Sequence, residues 1–334
     1  MKYIVCEQPG TFSLKQKSMP KRKQGEALLK VHKIGVCGTD IHAYGGNQAF
    51  FTYPRILGHE LACEVVEVDE DNRVKVGDQV VVVPYINCGN CIACKNGKTN
   101  CCSNIKVIGV HADGGMQEYI TVRTDLLLKA NHLSHDQMAI VEPLAIGAHA
   151  LRRANLQKGE YVVVMGCGPI GIGMLKLAQL AGAIPIALDM NPNRLQFVLD
   201  EIGIEHMVNV SDNPVEQVGQ ITGGDFATAV FDATGNQKAL ESGPDYMAHG
   251  GRYVLVGLSK VDLTFNHPKI HAKESSILCS RNATLEDFEY VMNTIEIFPT
   301  SSFITHVADF DQMIAQFDSW TKPETGVIKA MIQL

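Results

Sequence analysis

Residues 88–102 read CGNCIACKNGKTNCC, five cysteines in fifteen positions. Cys88, Cys91, Cys94 and Cys102 stand in C-x2-C-x2-C-x7-C spacing, with Cys101 the alternative to Cys102 as the fourth member. Four thiolates on so short a loop can close a tetrahedral shell around zinc. A shell completed by protein leaves no position for water or substrate, so such a metal would stabilise a loop and activate nothing. Unligated or redox-active thiols are the simpler alternative reading of the same residues.

Other potential ligands are scattered. VCGTDIH (36–42), GHE (58–60) and VEPLAIGAHA (141–150) contribute Cys37, His59, Glu60 and Glu142. One thiolate, one imidazole and one or two carboxylates around zinc would leave room for a water or an alcohol. Spacing alone does not separate such residues from ordinary core cysteines and histidines.

A third pattern is GCGPIG, which places Gly166, Gly168 and Gly171 in G-x-G-x-x-G spacing, with Pro169 and Ile170 between them. Glycines let a turn pass close under a pyrophosphate, and the N–H groups of the helix that follows face it. YVVVMG before the motif reads as a strand, GIGMLKLAQLAG after it as a helix ending on Gly182. Asp189 closes the next strand, 18 positions beyond Gly171, where a carboxylate would bind ribose hydroxyls and repel a 2′-phosphate. This favours NAD; Arg194 could accept a 2′-phosphate but is expected over the adenine or on the helix surface.

The elements that must position these residues come in two textures. Up to about residue 145, ALLKVHKIGV, ELACEVVEVDE and DQVVVVPYI read as Val- and Ile-rich strands broken by Gly, Asp and Asn. Beyond it, short buried strands alternate with helix-length amphipathic runs. NPNRLQFVLDEIG is one such helix, capped by Asn191, and ATAVFDATG and GGRYVLVGL are further strands, the latter either at an edge or internal. This is the βαβ pattern of a doubly wound parallel sheet. EDFEYVMNTIEIF and DQMIAQFDSW are predicted helices, and TGVIKAMIQL a final strand that could return to the first domain.

A length of 334 residues suggests about two domains. A net charge of −7 argues against nucleic-acid and membrane-surface partners, both of which want a basic face. MKYIVCEQPG carries no signal pattern and no apolar run reaches bilayer length, so a cytoplasmic protein is expected. In a reducing compartment its ten cysteines would be metal ligands or buried thiols.

Taken together, CGTDIH, GHE, the four-cysteine lobe, the EP pair, GCGPIG with its acidic partner, and DATG resemble the zinc-containing medium-chain dehydrogenases. The resemblance covers essentially the whole chain. It implies an α/β architecture: a GroES-like β-rich catalytic domain over 1–147, a Rossmann NAD domain over 148–281, and a segment 282–334 that completes the first. It also implies two zinc ions per chain. Cys37, His59 and Glu60 would hold the catalytic one, with Glu142 a fourth ligand or the holder of a metal-bound water. Cys88, Cys91, Cys94 and Cys102 would hold the structural one. Thr39 and His42 match a proton relay, with a turn residue and a surface residue as the alternative roles. Thr234 and Gly235 would abut the nicotinamide.

GGNQAFFTYPRILGHE, VIGVHADGGMQEY, HGGRYVLVGL and SRNAT are similar to a bacterial sugar-acid branch, the L-galactonate and L-gulonate 5-dehydrogenases. That implies oxidation of a secondary alcohol of an aldonate, with Arg281 the candidate cation for its carboxylate and a surface or interdomain salt bridge its alternative role. A polyol or L-threonine is the rival substrate, and a zinc- and NAD-binding protein without catalysis the rival class. Tyr44, Phe50, His111 and Asp113 are further pocket candidates, each with a packing or turn role as the alternative. A homodimer or homotetramer is expected from the resemblance.

Overall fold

The computed structural model describes residues 1–48, 51–70 and 73–334. The chain divides into two compact units, Met1–Pro143 with Thr284–Leu334, and Leu144–Ala283. The division falls beside Pro143, inside the helix His135–Arg153.

The first unit is built on a seven-stranded sheet. Its strands run in the order Ile304–Asp309, Lys329–Gln333, Glu26–Val36, Glu60–Glu67, Gln79–Val82 and Leu127–Lys129, and Tyr119–Arg123 pairs with the other half of Glu26–Val36. The long central strand EALLKVHKIGV buries Leu29, Val31, Ile34 and Val36 against Ile4, Leu57, Leu61 and Met116. Met313, Phe317 and Trp320, on a helix Met313–Trp320 that begins two residues later than DQMIAQFDSW suggests, close the same core. The last strand lies antiparallel to the central one, Ala330 opposite Val36 and Met331 opposite Gly35. On the other side of the central strand, Glu60 stands opposite Gly35.

The second unit holds six parallel strands in the order His206–Asn209, Ile184–Asp189, Tyr161–Met165, Ala227–Asp232, Met247–Leu255 and Ser276–Cys279. Strand order reverses between Tyr161–Met165 and Ala227–Asp232, the place where ligands bind in sheets of this kind. The strand drawn from GGRYVLVGL is internal, and Ser276–Cys279 forms the edge. The glycine-turn helix is Pro169–Leu180, and Gly182 lies two residues past its end with φ +82°. Asn191 caps its helix as expected, its side chain accepting from the N–H of Asn193 at 2.9 Å. Among the described residues, no helix is long and apolar enough to cross a membrane.

Candidate metal centre and cofactor turn

Cys37 ends the central strand's exit and leads into the short helix Gly38–Tyr44. Glu60 opens the strand Glu60–Glu67, and His59 immediately precedes it. One ligand atom from each of the three lies within 4.8 Å of the others. Asp40, fully buried, ties the two segments together: one carboxylate oxygen accepts the N–H of Cys37 at 2.9 Å and the other the N–H of Gly58 at 3.2 Å. The same oxygen stands 3.9 Å from His59 Nδ1.

Glu60 is placed by an absence. A Cβ on Gly35 would lie 2.0 Å from Glu60 Oε2, so the carboxylate occupies space that only glycine leaves open. Across Gly35 it meets Lys329, whose ammonium is ion-paired with it and donates to the Val36 carbonyl at 3.0 Å. Burial pushes the pKa of Glu60 up; Lys329 opposes that, and Glu142 adds to it.

Glu142 lies outside the three-residue group. It is buried, and its Oε1 accepts a hydrogen bond from the Tyr85 hydroxyl.

The trio suits a cation. Glu60 Oε1 is buried without a hydrogen-bond partner. Burial opposes a charge on His59, yet Cys37, Asp40 and Glu142 outweigh it and hold its pKa well above the ordinary value. A pocket that stabilises an imidazolium away from water offers a dication the same negative surroundings. The mixed thiol, imidazole and carboxylate set fits zinc with a position left over.

In the loop 88–102, the sulfur atoms of Cys88, Cys91, Cys94 and Cys102 also lie within 4.8 Å of one another. Cys102 is 4% exposed and takes the N–H of Cys88 at 3.3 Å and of Asn104 at 3.4 Å, while Cys101 points outward. The N–H groups of Cys94 and Ser103 draw the pKa of Cys91 down to about 5, favouring the thiolate a metal requires.

In the second unit, a Cβ on Gly171 would lie 1.8 Å from the Gly166 carbonyl, so the strand can pass into its helix only with glycine there. Asp189 braces the turn, accepting the N–H of Cys167 at 2.6 Å and of Asn191 at 2.8 Å. The Arg194 guanidinium reaches the turn at Gly168, 3.6 Å from where a Cβ would stand. Thr234 approaches Gly166 on the other side, and its hydroxyl and the N–H of Gly235 are both held by the buried Asp232.

Residues 23–132 match the alcohol dehydrogenase GroES-like domain and 169–296 the zinc-binding dehydrogenase domain. L-galactonate-5-dehydrogenase of Escherichia coli is 44% identical over 87% of this chain and 86% of its own. The chain belongs to the zinc-binding alcohol dehydrogenase family. Sorbitol dehydrogenase of Bacillus subtilis is 32% identical over 83% of this dehydrogenase and 81% of itself. An E. coli alcohol dehydrogenase solved with NADH superposes with a TM-score of 0.93 at 28% identity, covering 100% of this chain and 99% of that one.

Other residues singled out in the dehydrogenase sequence divide. Thr39 is half-buried and His42 exposed, three apart on the helix Gly38–Tyr44 and so on one face, with His42 Nδ1 3.0 Å from Asn47 Oδ1. Arg281 is exposed, just past the edge strand of the second unit. Tyr44 stacks on Phe12 at 5.0 Å and meets Phe317 edge-on at 5.1 Å, so it serves packing. Asp113 accepts from Arg55 at 3.1 Å and from the N–H of Ile56, and His111 accepts the N–H of Val107, both as loop braces. Phe50 lies outside the described residues.

Sequence reasoning passed over Asp40, Tyr85 and Lys329. Asp40 sits inside the CGTDIH motif, and Lys329 is the one charge in the apolar run VIKAMI, which were the available signals.

Proposed function

We propose that this dehydrogenase oxidises a secondary hydroxyl of a sugar acid, L-galactonate or L-gulonate at C5, to the keto acid, using NAD and a zinc ion held by Cys37, His59 and Glu60. When bound, the metal supplies the Lewis acidity that eases loss of the hydroxyl proton, and NAD supplies the hydride acceptor. Thr39 and His42 carry that proton outward along one face of their helix. Glu142 stands beside the trio as a further carboxylate, as a fourth ligand or as the partner of a water. The glycine turn at Gly166, Gly168 and Gly171, with Pro169 and Ile170 opening its helix, seats the pyrophosphate. Asp189 selects the free ribose hydroxyls, Arg194 lies along the turn, and Thr234 and Gly235 flank the nicotinamide.

A second zinc is held by Cys88, Cys91, Cys94 and Cys102 and serves the fold. Arg281 pairs with the carboxylate of the acid. The working form is a homodimer or homotetramer in the cytoplasm, where thiols stay reduced.

One observation carries the chemistry: a half-buried thiol gathered within 4.8 Å of a buried imidazole and a buried carboxylate, in surroundings that favour positive charge. The 44% identity to the E. coli L-galactonate enzyme supports the choice of substrate. The test follows NADH formation by zinc-loaded enzyme given NAD with L-galactonate, L-gulonate, sorbitol or L-threonine in parallel. Turnover confined to an aldonate supports the whole reading. Turnover with sorbitol or threonine and neither acid overturns the substrate and leaves the zinc–NAD chemistry standing.

A further inference from the structure

We propose that Tyr85 is a positioning residue of the metal centre: it fixes the Glu142 carboxylate, and so sets how tightly the neighbouring trio grips its metal. The inference rests on the reading of Cys37, His59 and Glu60 as zinc ligands.

Tyr85 is 6% exposed, and its ring packs edge-on against Phe288 with centroids 6.2 Å apart. A phenol hydroxyl taken out of water needs a partner, and here that partner is Oε1 of the buried Glu142. Both ends of the contact are fixed, in different ways. Tyr85 sits on the two-residue strand Tyr85–Ile86, paired antiparallel with Lys106–Val107 so that Tyr85 faces Val107. Those two short strands are the stem of the loop that carries the four cysteines, so a closed thiolate shell at the loop also pins the tyrosine.

Glu142, by contrast, projects from the interior of a helix, which fixes its Cα and leaves the side-chain torsions to be chosen by contacts. The Tyr85 hydroxyl makes that choice. It engages Oε1 and makes no claim on Oε2, so Glu142, whose charge reaches both His59 and Glu60, is left to act on the trio through a single oxygen. Outer partners that orient the groups around a metal are of this kind, and their loss typically weakens metal binding about 10–100-fold.

Tyr85→Phe tests this, because it removes one oxygen and keeps the ring in its packing. Zinc would be competed away with a chelator and counted per chain by atomic absorption, in wild type and variant. The expected result is two zinc ions in the wild type. In the variant, the one removed by Cys37→Ala binds about 10–100-fold more weakly, and the four-thiolate zinc and the thermal midpoint of the metal-free chain are unchanged. A wild type with two zincs and a variant with unmoved affinities overturns the role of Tyr85 alone. Equal weakening of both sites, with a lower midpoint, also overturns it, because that is a packing defect. A wild type that never holds the second zinc overturns the metal reading itself, and the proposal with it.

Discussion

The Lys329 ammonium is paired with the Glu60 carboxylate across Gly35, and neither side chain is more than 1% exposed. Lys329 and Glu60 lie on the two strands that flank the central strand of the first unit, and they meet where its register places a residue with no side chain. A buried pair of this kind contributes little net stability, but removing one member strands the other charge.

Lys329→Met should therefore destabilise the metal-free enzyme by about 3–5 kcal/mol, measured by urea unfolding. Saturating zinc should recover part of the loss, because the dication supplies Glu60 with a counter-charge. A midpoint equal to wild type would mean that the ammonium is not what holds the carboxylate.

Gly35→Ala places a methyl in the space of the Glu60 carboxylate. The side chain must leave, so the variant should lose at least about 100-fold in kcat/KM, or some 2.7 kcal/mol of transition-state stabilisation. Zinc per chain should fall toward one while far-UV circular dichroism stays native.

The two cysteine groups should fail differently. Cys37→Ala should abolish turnover and remove one zinc per chain, with the thermal midpoint nearly kept. Cys102→Ala should lower the midpoint first, because a closed thiolate site contributes to folding directly. Identical behaviour of the two variants would contradict the division of labour.

Arg281→Met should raise KM for an aldonate about 10-fold or more, the loss of one charge-assisted hydrogen bond of about 1.5–3 kcal/mol. KM for a neutral polyol should stay within about twofold, since no such bond is lost. Equal losses on both would place Arg281 in the fold and not in recognition.

His135 should cost the fold stability on mild acidification. Burial, with His32 and Lys33 nearby, holds the pKa of His135 below its ordinary 6.5. The ring stacks on His32 with centroids 4.4 Å apart and meets Gln79 Oε1 at 2.9 Å. Between 6.5 and the lowered folded value the unfolded chain binds a proton that the folded chain refuses, so the folded state loses ground as pH drops through that window. The thermal midpoint measured from pH 7.5 down to 5.5 should fall less in His135→Gln than in wild type.

What could be read from the sequence was mostly local. The four-cysteine loop, the glycine turn with Asp189, and the Asn191 cap are each fixed by residues a few positions apart or by one strand–helix step, and spacing encodes them directly. Cys102 over Cys101 needed the fold, because adjacent cysteines differ only in which one faces inward. Glu60 with Lys329 and Glu142 with Tyr85 were out of reach for another reason. They meet through strand register and helix docking, which no short motif specifies. Whether GGRYVLVGL lay at an edge was undecidable on the same grounds, since its composition suits either place and only the strand order puts Ser276–Cys279 outside it.

The pairing of Lys329 with Glu60 also bears on the order of synthesis. The Val36 carbonyl that takes the ammonium precedes Lys329 by 293 residues, which at ~5–20 residues per second is roughly 15–60 s of translation. During that interval the nascent sheet lacks both its last strand and the charge that balances Glu60. A metal ion arriving early meets a thiol, an imidazole and an uncompensated carboxylate. One arriving after release meets a site whose carboxylate is already paired with Lys329.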